Sequence, residues 1–395
     1  MSTGHSKNLA GIAATGIIAL SLLAGCGSQA PSSASQKNAP IQIGYIGAFS
    51  GPGAPYGPQE EEQAKLAVSQ INASGGVMGR KLQLVIKDSA TDPNTASIAA
   101  KQLIEQVNVP ALFMCDTSAV RNAVESVVKN QKVLFFYDTL YEGGAYLPNM
   151  YIDGEVPQQQ VIPVYPYIMQ KYHGKKWFIV GDDYVWPTKT SAVVKATVQK
   201  AGGSVVGTSY VPLGTSNFSS VLTQIQAARP NFLSMELIGT DAIAFMKQFY
   251  ALGLEHHTKV VMLAIDNGTL QAMGQAGVGS LEPAGYFPAV QSAANTKYLK
   301  AYNKMFPQAP PPSFNIIPVY DSIMLWAKAA NAAKSLNFNK VQAMMTKVSF
   351  DSPRGLLRYQ SSTHGMPLTI YLAQFEPGGT EKIIHTFGDV QPGPQ

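Results

Sequence analysis

The chain predicts an α/β fold made of two Rossmann-like lobes, and three features of the sequence predict it. Apolar strands and amphipathic helices alternate, with a strand roughly every 25 residues, which signals parallel sheets covered by helices on both faces. The alternation breaks off after residue 137 and starts afresh at Trp177, so there are two such units. Glycine pairs and an Asp-Pro step punctuate the elements where helices must stop or start.

Residues 41–49 (IQIGYIGAF) predict the first strand, bounded by Ser50-Gly51-Pro52-Gly53. Residues 60–72 carry Ala64, Ala67, Val68 and Ile71 at helical spacing and stop at Gly75-Gly76. Residues 81–88 alternate Leu82, Leu84 and Ile86 with Gln83, Val85 and Lys87, a half-buried strand. Asp92-Pro93 opens a helix through Ala96, Ala99, Leu103 and Ile104. Residues 111–114 predict a short buried strand, 119–130 a helix and 133–137 a strand. The second unit repeats the scheme, with strands at 177–181, 204–211, 231–237 and 260–265 and helices at 190–201, 218–228 and 242–252. Beyond Ala284 the pattern loosens: helices are predicted at 298–306 and 321–335, and residues 356–359 and 368–375 predict a closing hairpin. A helix placed this late suits a chain that returns to the first lobe.

Composition narrows the function. The 395 residues hold 29 Lys+Arg against 24 Asp+Glu, a net charge of +5, with 46% hydrophobic and 13% charged residues. That apolar fraction supports packed cores and excludes disorder as the main state. The slight positive excess, without a Lys/Arg block, argues against nucleic acid as a partner. Two cysteines exclude a disulfide scaffold, and one apolar run of membrane-like length excludes a polytopic membrane protein.

The amino terminus supplies an address. Residues 9–23 form an apolar stretch of signal-peptide length that ends in Leu22-Leu23-Ala24-Gly25-Cys26. Small residues directly before a cysteine resemble a lipoprotein cleavage box, with Cys26 as the lipidated residue and residues 1–25 as the leader. Residues 26–39, rich in Ser and Ala, predict a flexible tether. Cys115, in an apolar strand, is expected to be a small buried core residue.

Catalytic and cofactor signals are weak. The loop Gly51-Pro52-Gly53-Ala54-Pro55-Tyr56-Gly57 follows a strand and precedes a helix, but its spacing is not G-x-G-x-x-G and its two prolines remove amide donors. It predicts a glycine-rich lobe-edge loop near a ligand cleft, not a nucleotide site. There is no G-x-S-x-G, H-E-x-x-H or C-x-x-C, and the side chains of adjacent His256 and His257 diverge. No enzyme, cofactor or metal is expected. Aromatic and hydroxyl residues do gather after three strands, in Asp116-Thr117-Ser118, in the run from Tyr137 to Gly143 and in Tyr184-Val185-Trp186-Pro187. Ligands of open α/β sheets bind outside the carboxyl ends of strands, so these clusters predict a small-molecule box.

These motifs carry a family resemblance. The cleavage box, the strand IQIGYIGAFSG, the run INASGGVMGRKL at 71–82 and Asp88-x-x-x-Asp92-Pro93 resemble the substrate-binding proteins of branched-chain amino-acid type ABC transporters. Within that family CDTSAVRNAV at 115–124, YEGG at 141–144, PQQQVIP at 157–163, GDDYVWP at 181–187 and VPLGTSNF at 211–218 resemble the urea and short-chain amide branch. The resemblance implies the type I periplasmic binding protein fold, two lobes joined by hinge strands. It divides the body into lobe 1 at 40–157 and 287–338 and lobe 2 at 158–286 and 339–390. It implies a ligand site of Ser118, Tyr137, Thr139, Tyr184 and Trp186, with Gly239, Thr240 and Asp266 from the second lobe. Asp116 and Asp138 depart from the branch, which has uncharged residues there. Either they face the pocket and select a ligand rich in N–H donors, or they point to solvent or cap a helix. Arg121 is expected in the scaffold. The implied ligand is urea, a short amide or a cation such as guanidinium, captured outside the cytoplasm by a lipid-anchored, monomeric body and delivered to an ABC permease. A branched-chain amino acid is the alternative ligand, and a sensor the alternative role.

Overall fold

The computed structural model describes residues 39–144 and 147–393. The leader, Cys26 and the tether as far as residue 38 lie outside the described residues. Among the described residues no helix is long and apolar enough to cross a membrane.

The first sheet is built from β1 (Ile41–Gly47), β2 (Leu82–Asp88), β3 (Ala111–Cys115), β4 (Leu134–Tyr137) and β5 (Met150–Ile152), with α1 (Gly57–Ala73), α2 (Pro93–Lys101) and α3 (Ser118–Val128) as its connections. Its order is β2-β1-β3-β4-β5 and every pairing is parallel. Each helix has a local reason to begin. Pro58 occupies the first turn of α1, and Asp92 caps α2 by accepting from the Thr95 amide at 2.8 Å. β3, β4 and β5 are buried on both faces, and Phe113, Phe136 and Tyr151 stack across them with centroids 4.8 and 5.4 Å apart.

The chain then crosses to a second sheet through α4 (Pro157–Val161) and α5 (Val164–Lys171). There β6 (Lys176–Asp182), α6 (Val185–Lys200), β7 (Ser204–Val211), α7 (Ser219–Ala228), β8 (Phe232–Glu236), α8 (Gly239–Ala251), β9 (Lys259–Met262), α9 (Asn267–Met273) and β10 (Leu281–Ala284) follow. After Ala284 the chain returns through α10 (Ala293–Met305) to α11 (Pro318–Ala333), which packs on α1 and β3 with Trp326 set edge-on to Phe113 at 6.3 Å. The return expected for a late helix is present. On α11 pack α12 (Phe338–Met345) and the ribbon of β11 (Phe350–Ser352) and β12 (Gly355–Leu357). A last crossing leads to β13 (Leu368–Glu376) and β14 (Thr380–Val390), which complete the order β14-β13-β10-β9-β8-β6-β7 as an antiparallel edge.

The hairpin expected between residues 356–359 and 368–375 is replaced by two hairpins. Leu357 pairs with Phe350 and Glu376 with Thr380, because each strand has a tight turn beside it, at Pro353-Arg354 and at Pro377-Gly378-Gly379. The crossings are tied together. Ile152 N–H donates to His364 O at 2.9 Å, and Gly285 N–H donates to Glu155 Oε1 at 2.9 Å. A Cβ at Gly285 would lie 2.5 Å from that Glu155 oxygen, so only glycine lets the two segments meet.

Candidate functional site

The strand order reverses at β1 in the first sheet and at β6 in the second, and the carboxyl ends of both sheets face one cavity. The cavity is small, about 50 Å³, enough for roughly three to five waters. Asp116, Ser118, Tyr137 and Thr139 line it from the first sheet, Tyr184 and Trp186 from the start of α6, and Ile238 and Ala264 from the ends of β8 and β9. No lysine or arginine lines it.

Each of these side chains is held in place. The Asp116 carboxylate accepts from the Ser89 hydroxyl and from the Thr117 amide, so it organises the turn into α3 while facing the cavity. Burial pushes its carboxyl up to about 6, against those hydrogen bonds. The Tyr137 hydroxyl donates to Asp116 O at 2.6 Å. Ser118 donates to Glu142 Oε2 at 2.7 Å, and Glu142 forms a two-pronged pair with Arg121 at 2.7 and 3.0 Å. The guanidinium lies over the rings of Tyr137 and Tyr141, with its central carbon 4.9 and 4.7 Å from their centroids. Arg121 is therefore part of the scaffold behind the wall, its charge consumed by Glu142 and Glu125.

The other four sequence-derived candidates do not line the cavity. Asp138 is buried behind it, because the side-chain alternation that turns Tyr137 and Thr139 to one face turns Asp138 to the other. Asp266 caps α9, accepting from the Gly268 and Thr269 amides at 2.8 and 3.0 Å. Thr240 is exposed and donates to Asp241 at 3.0 Å. Gly239 presents its N–H to Tyr56 at 3.0 Å, one layer away.

Three lining residues carry no signal in the sequence pattern. Tyr56 spans the cleft: it reaches from the loop before α1 to accept from Gly239 N–H, and it donates to Ala264 O at 2.9 Å. Glu60, in the first turn of α1, accepts from the Tyr45 hydroxyl at 3.0 Å and from Ala48 N–H at 3.2 Å. Burial first, then the charge of Asp116, raises its carboxyl well above the usual range. It fits only because residue 47 is glycine; a Cβ there would lie 2.2 Å from Glu60 Oε2. Asn315 enters from the irregular stretch before α11. Two lining residues hold buried polar atoms with no partner in the protein, the donor Trp186 Nε1 and the acceptor Asn315 Oδ1.

Comparison with known proteins gives a consistent setting. The sequence model for periplasmic binding proteins matches residues 40–380. The leucine-, isoleucine-, valine-, threonine- and alanine-binding protein of Pseudomonas aeruginosa is 23% identical over 340 residues, covering 81% of this chain and 85% of that one. A Leu/Ile/Val-binding protein homologue of Brucella abortus is 24% identical over 364 residues, 87% of this chain and 88% of the other. Among solved structures, an ABC-transporter solute-binding protein of Rhodopseudomonas palustris in complex with 3,4-dihydroxybenzoic acid aligns with a TM-score of 0.80 at 24% identity, covering 89% of this chain and 98% of that one.

Proposed function

This chain belongs to the periplasmic binding protein family, and from that premise we propose that it captures urea or a short-chain amide between its two lobes and delivers it to an ABC permease. The observation that carries this reading is the polar inventory of a cavity of about 50 Å³. Its unpartnered Trp186 Nε1–H suits a ligand carbonyl, and Asn315 Oδ1 and Asp116 suit ligand N–H groups. A urea or amide supplies both in a few heavy atoms. Guanidinium supplies the donors but leaves Trp186 Nε1 unpaired, at a cost of about 1–3 kcal/mol. Family membership implies work outside the cytoplasm. Lipid on Cys26 would hold a monomeric body at the membrane, two chains at one residue being sufficient for stable anchoring.

The named relatives support a second reading, a branched-chain amino acid. Such a ligand would bring its carboxylate against Asp116 in a cavity that holds no basic side chain. Calorimetric titration of the purified protein with urea, formamide, acetamide, guanidinium, leucine and benzoate separates the readings. Binding of urea or an amide without leucine is expected, and saturation at about 100 times Kd should add roughly 2.7 kcal/mol of stability. Binding of leucine with no response to urea or amides would sink the amide assignment.

A further inference from the structure

Half of the 24 Asp and Glu side chains are buried, while the only buried cations among the described residues are Arg121 and Arg354. Ionised carboxylates cannot be left that way, because an uncompensated buried charge costs several kcal/mol. Two pairs of these acids face each other directly behind a wall of the cleft.

In the first lobe Asp138 faces Asp153. Asp138 lies between the lining residues Tyr137 and Thr139, and Asp153 begins the first crossing between the sheets. Both Asp138 oxygens and Asp153 Oδ2 lack any donor. The Ser322 hydroxyl lies within reach of Asp138 and also donates to Val319 O at 3.2 Å. The one cation nearby, Arg354, is bonded to Asp321 at 2.8 Å and to the Asp153 carbonyl at 2.8 Å, and it also faces Glu155. Cys115, Tyr45 and Tyr359 complete the titratable surroundings, and Tyr359 donates to Asp153 Oδ1.

In the second lobe Asp182, at the end of β6, faces Asp241 in the first turn of α8. Asp182 Oδ2 accepts from Ile238 N–H at 2.9 Å, and its carbonyl accepts from Tyr184 N–H at 2.9 Å, so it holds two lining residues. Its Oδ1 has no donor. Asp241 accepts from the Gly214 and Thr215 amides and from Thr240. Tyr56 and Tyr184 are the other titratable groups facing Asp182, and no Lys or Arg does.

Two facing carboxylates are acceptors only; one added proton turns one of them into a donor and satisfies the pair. We propose that Asp138–Asp153 and Asp182–Asp241 are proton-binding sites, each holding one shared proton that keeps its wall of the cleft assembled. The proposal is independent of which ligand the cleft takes. Burial and the facing acid push Asp182 up to about 9, and burial, opposed by Tyr359 and Arg354, leaves Asp153 at about 8.

The test is the melting temperature of the full-length protein without ligand from pH 5 to pH 9, with Asp138→Asn and Asp182→Asn. The wild type should lose roughly 5–10 °C over that range, because groups with raised native values release their protons on unfolding. Each Asn variant, a permanently neutral donor, should shed about one proton from the slope and gain on the wild type at pH 9. Infrared difference spectra at pH 7 should show that each variant loses one protonated-carboxyl band while those of other buried acids such as Glu60 remain, and Asp153→Asn and Asp241→Asn, the facing members, give the same readout if a variant fails to fold. A wild-type profile that is flat or rises with pH, the absence of those bands, or Asn variants that destabilise equally at pH 5 and pH 9 would each overturn it. A melting temperature set by sodium or potassium instead of pH would put a cation in the proton's place and overturn it as well.

Discussion

The two walls of the cleft are made of different materials. The first sheet contributes carboxyl and hydroxyl groups, each pinned by hydrogen bonds: Asp116 by Ser89, Ser118 by Glu142, and Glu60 by Tyr45. The second sheet contributes Tyr184, Trp186, Ile238 and Ala264, mostly apolar surface with one phenol hydroxyl and one indole N–H. A polar wall costs more to build, because every buried group needs a partner, but it discriminates between ligands by 1–3 kcal/mol for each group left unpaired. An apolar wall discriminates mainly by size. On the proposed function, this division would let the first wall read the chemistry of the ligand and the second exclude water.

The comparison breaks most severely at Arg121. Arg121→Met leaves Glu142 buried without its cation and frees Ser118, so the polar wall should lose about 3–5 kcal/mol, read as a shift in denaturant midpoint. An unchanged midpoint would show that the wall does not depend on its scaffold. Tyr56→Phe tests the joint between the walls. It strands Gly239 N–H and Ala264 O, and should weaken the ligand-bound, closed form by about 1–3 kcal/mol, seen as a larger radius of gyration in scattering at a fixed ligand concentration.

Trp186→Phe sharpens the contrast, since it keeps the apolar surface and deletes the unpartnered indole donor. Affinity for urea or acetamide should fall by about 5–10-fold, on a contribution of ~1–1.5 kcal/mol, while the melting temperature holds or rises. A fall in melting temperature with affinity intact would assign the indole to packing alone. The smallest effect is expected for Asp116→Asn. The native carboxyl lies at about 6, above its unfolded value of about 3.9. Its contribution is therefore complete below about pH 4 and fades as pH rises through about 6, so the variant should gain on the wild type only above that pH, in parallel melting curves.

The sheets were legible because strand and helix periods differ and glycine marks their ends, as at Gly75-Gly76 after α1. The strand-end clusters were legible because contiguous residues carry them: Asp116 to Ser118, Tyr137 to Thr139, Tyr184 and Trp186. Tyr56, Glu60 and Asn315 were not. Glu60 sits where any helix favours an acid, and Asn315 lies in a segment without periodicity, brought to the cavity from about 200 residues beyond Cys115, whose Sγ approaches the Asn315 carbonyl at 3.9 Å. Asp138 was attractive by sequence neighbourhood and Asp266 by the family resemblance, yet strand alternation turns one away and a helix end takes the other. A single chain records which residues are adjacent along it, and not which will face the same void.

The contact between Gly47 and Glu60 constrains how this site can change. The Glu60 carboxyl occupies the space that any side chain at residue 47 would need, so the two positions form one lock with two keys. Gly47→Ala alone must evict the carboxyl, and a smaller residue at 60 alone leaves a void beside Tyr45 and Ala48. A lineage that retunes this cleft for another solute must pass through one of these two damaged states or change both residues together. Libraries that randomise positions 47 and 60 jointly should recover folded variants that single-site libraries miss.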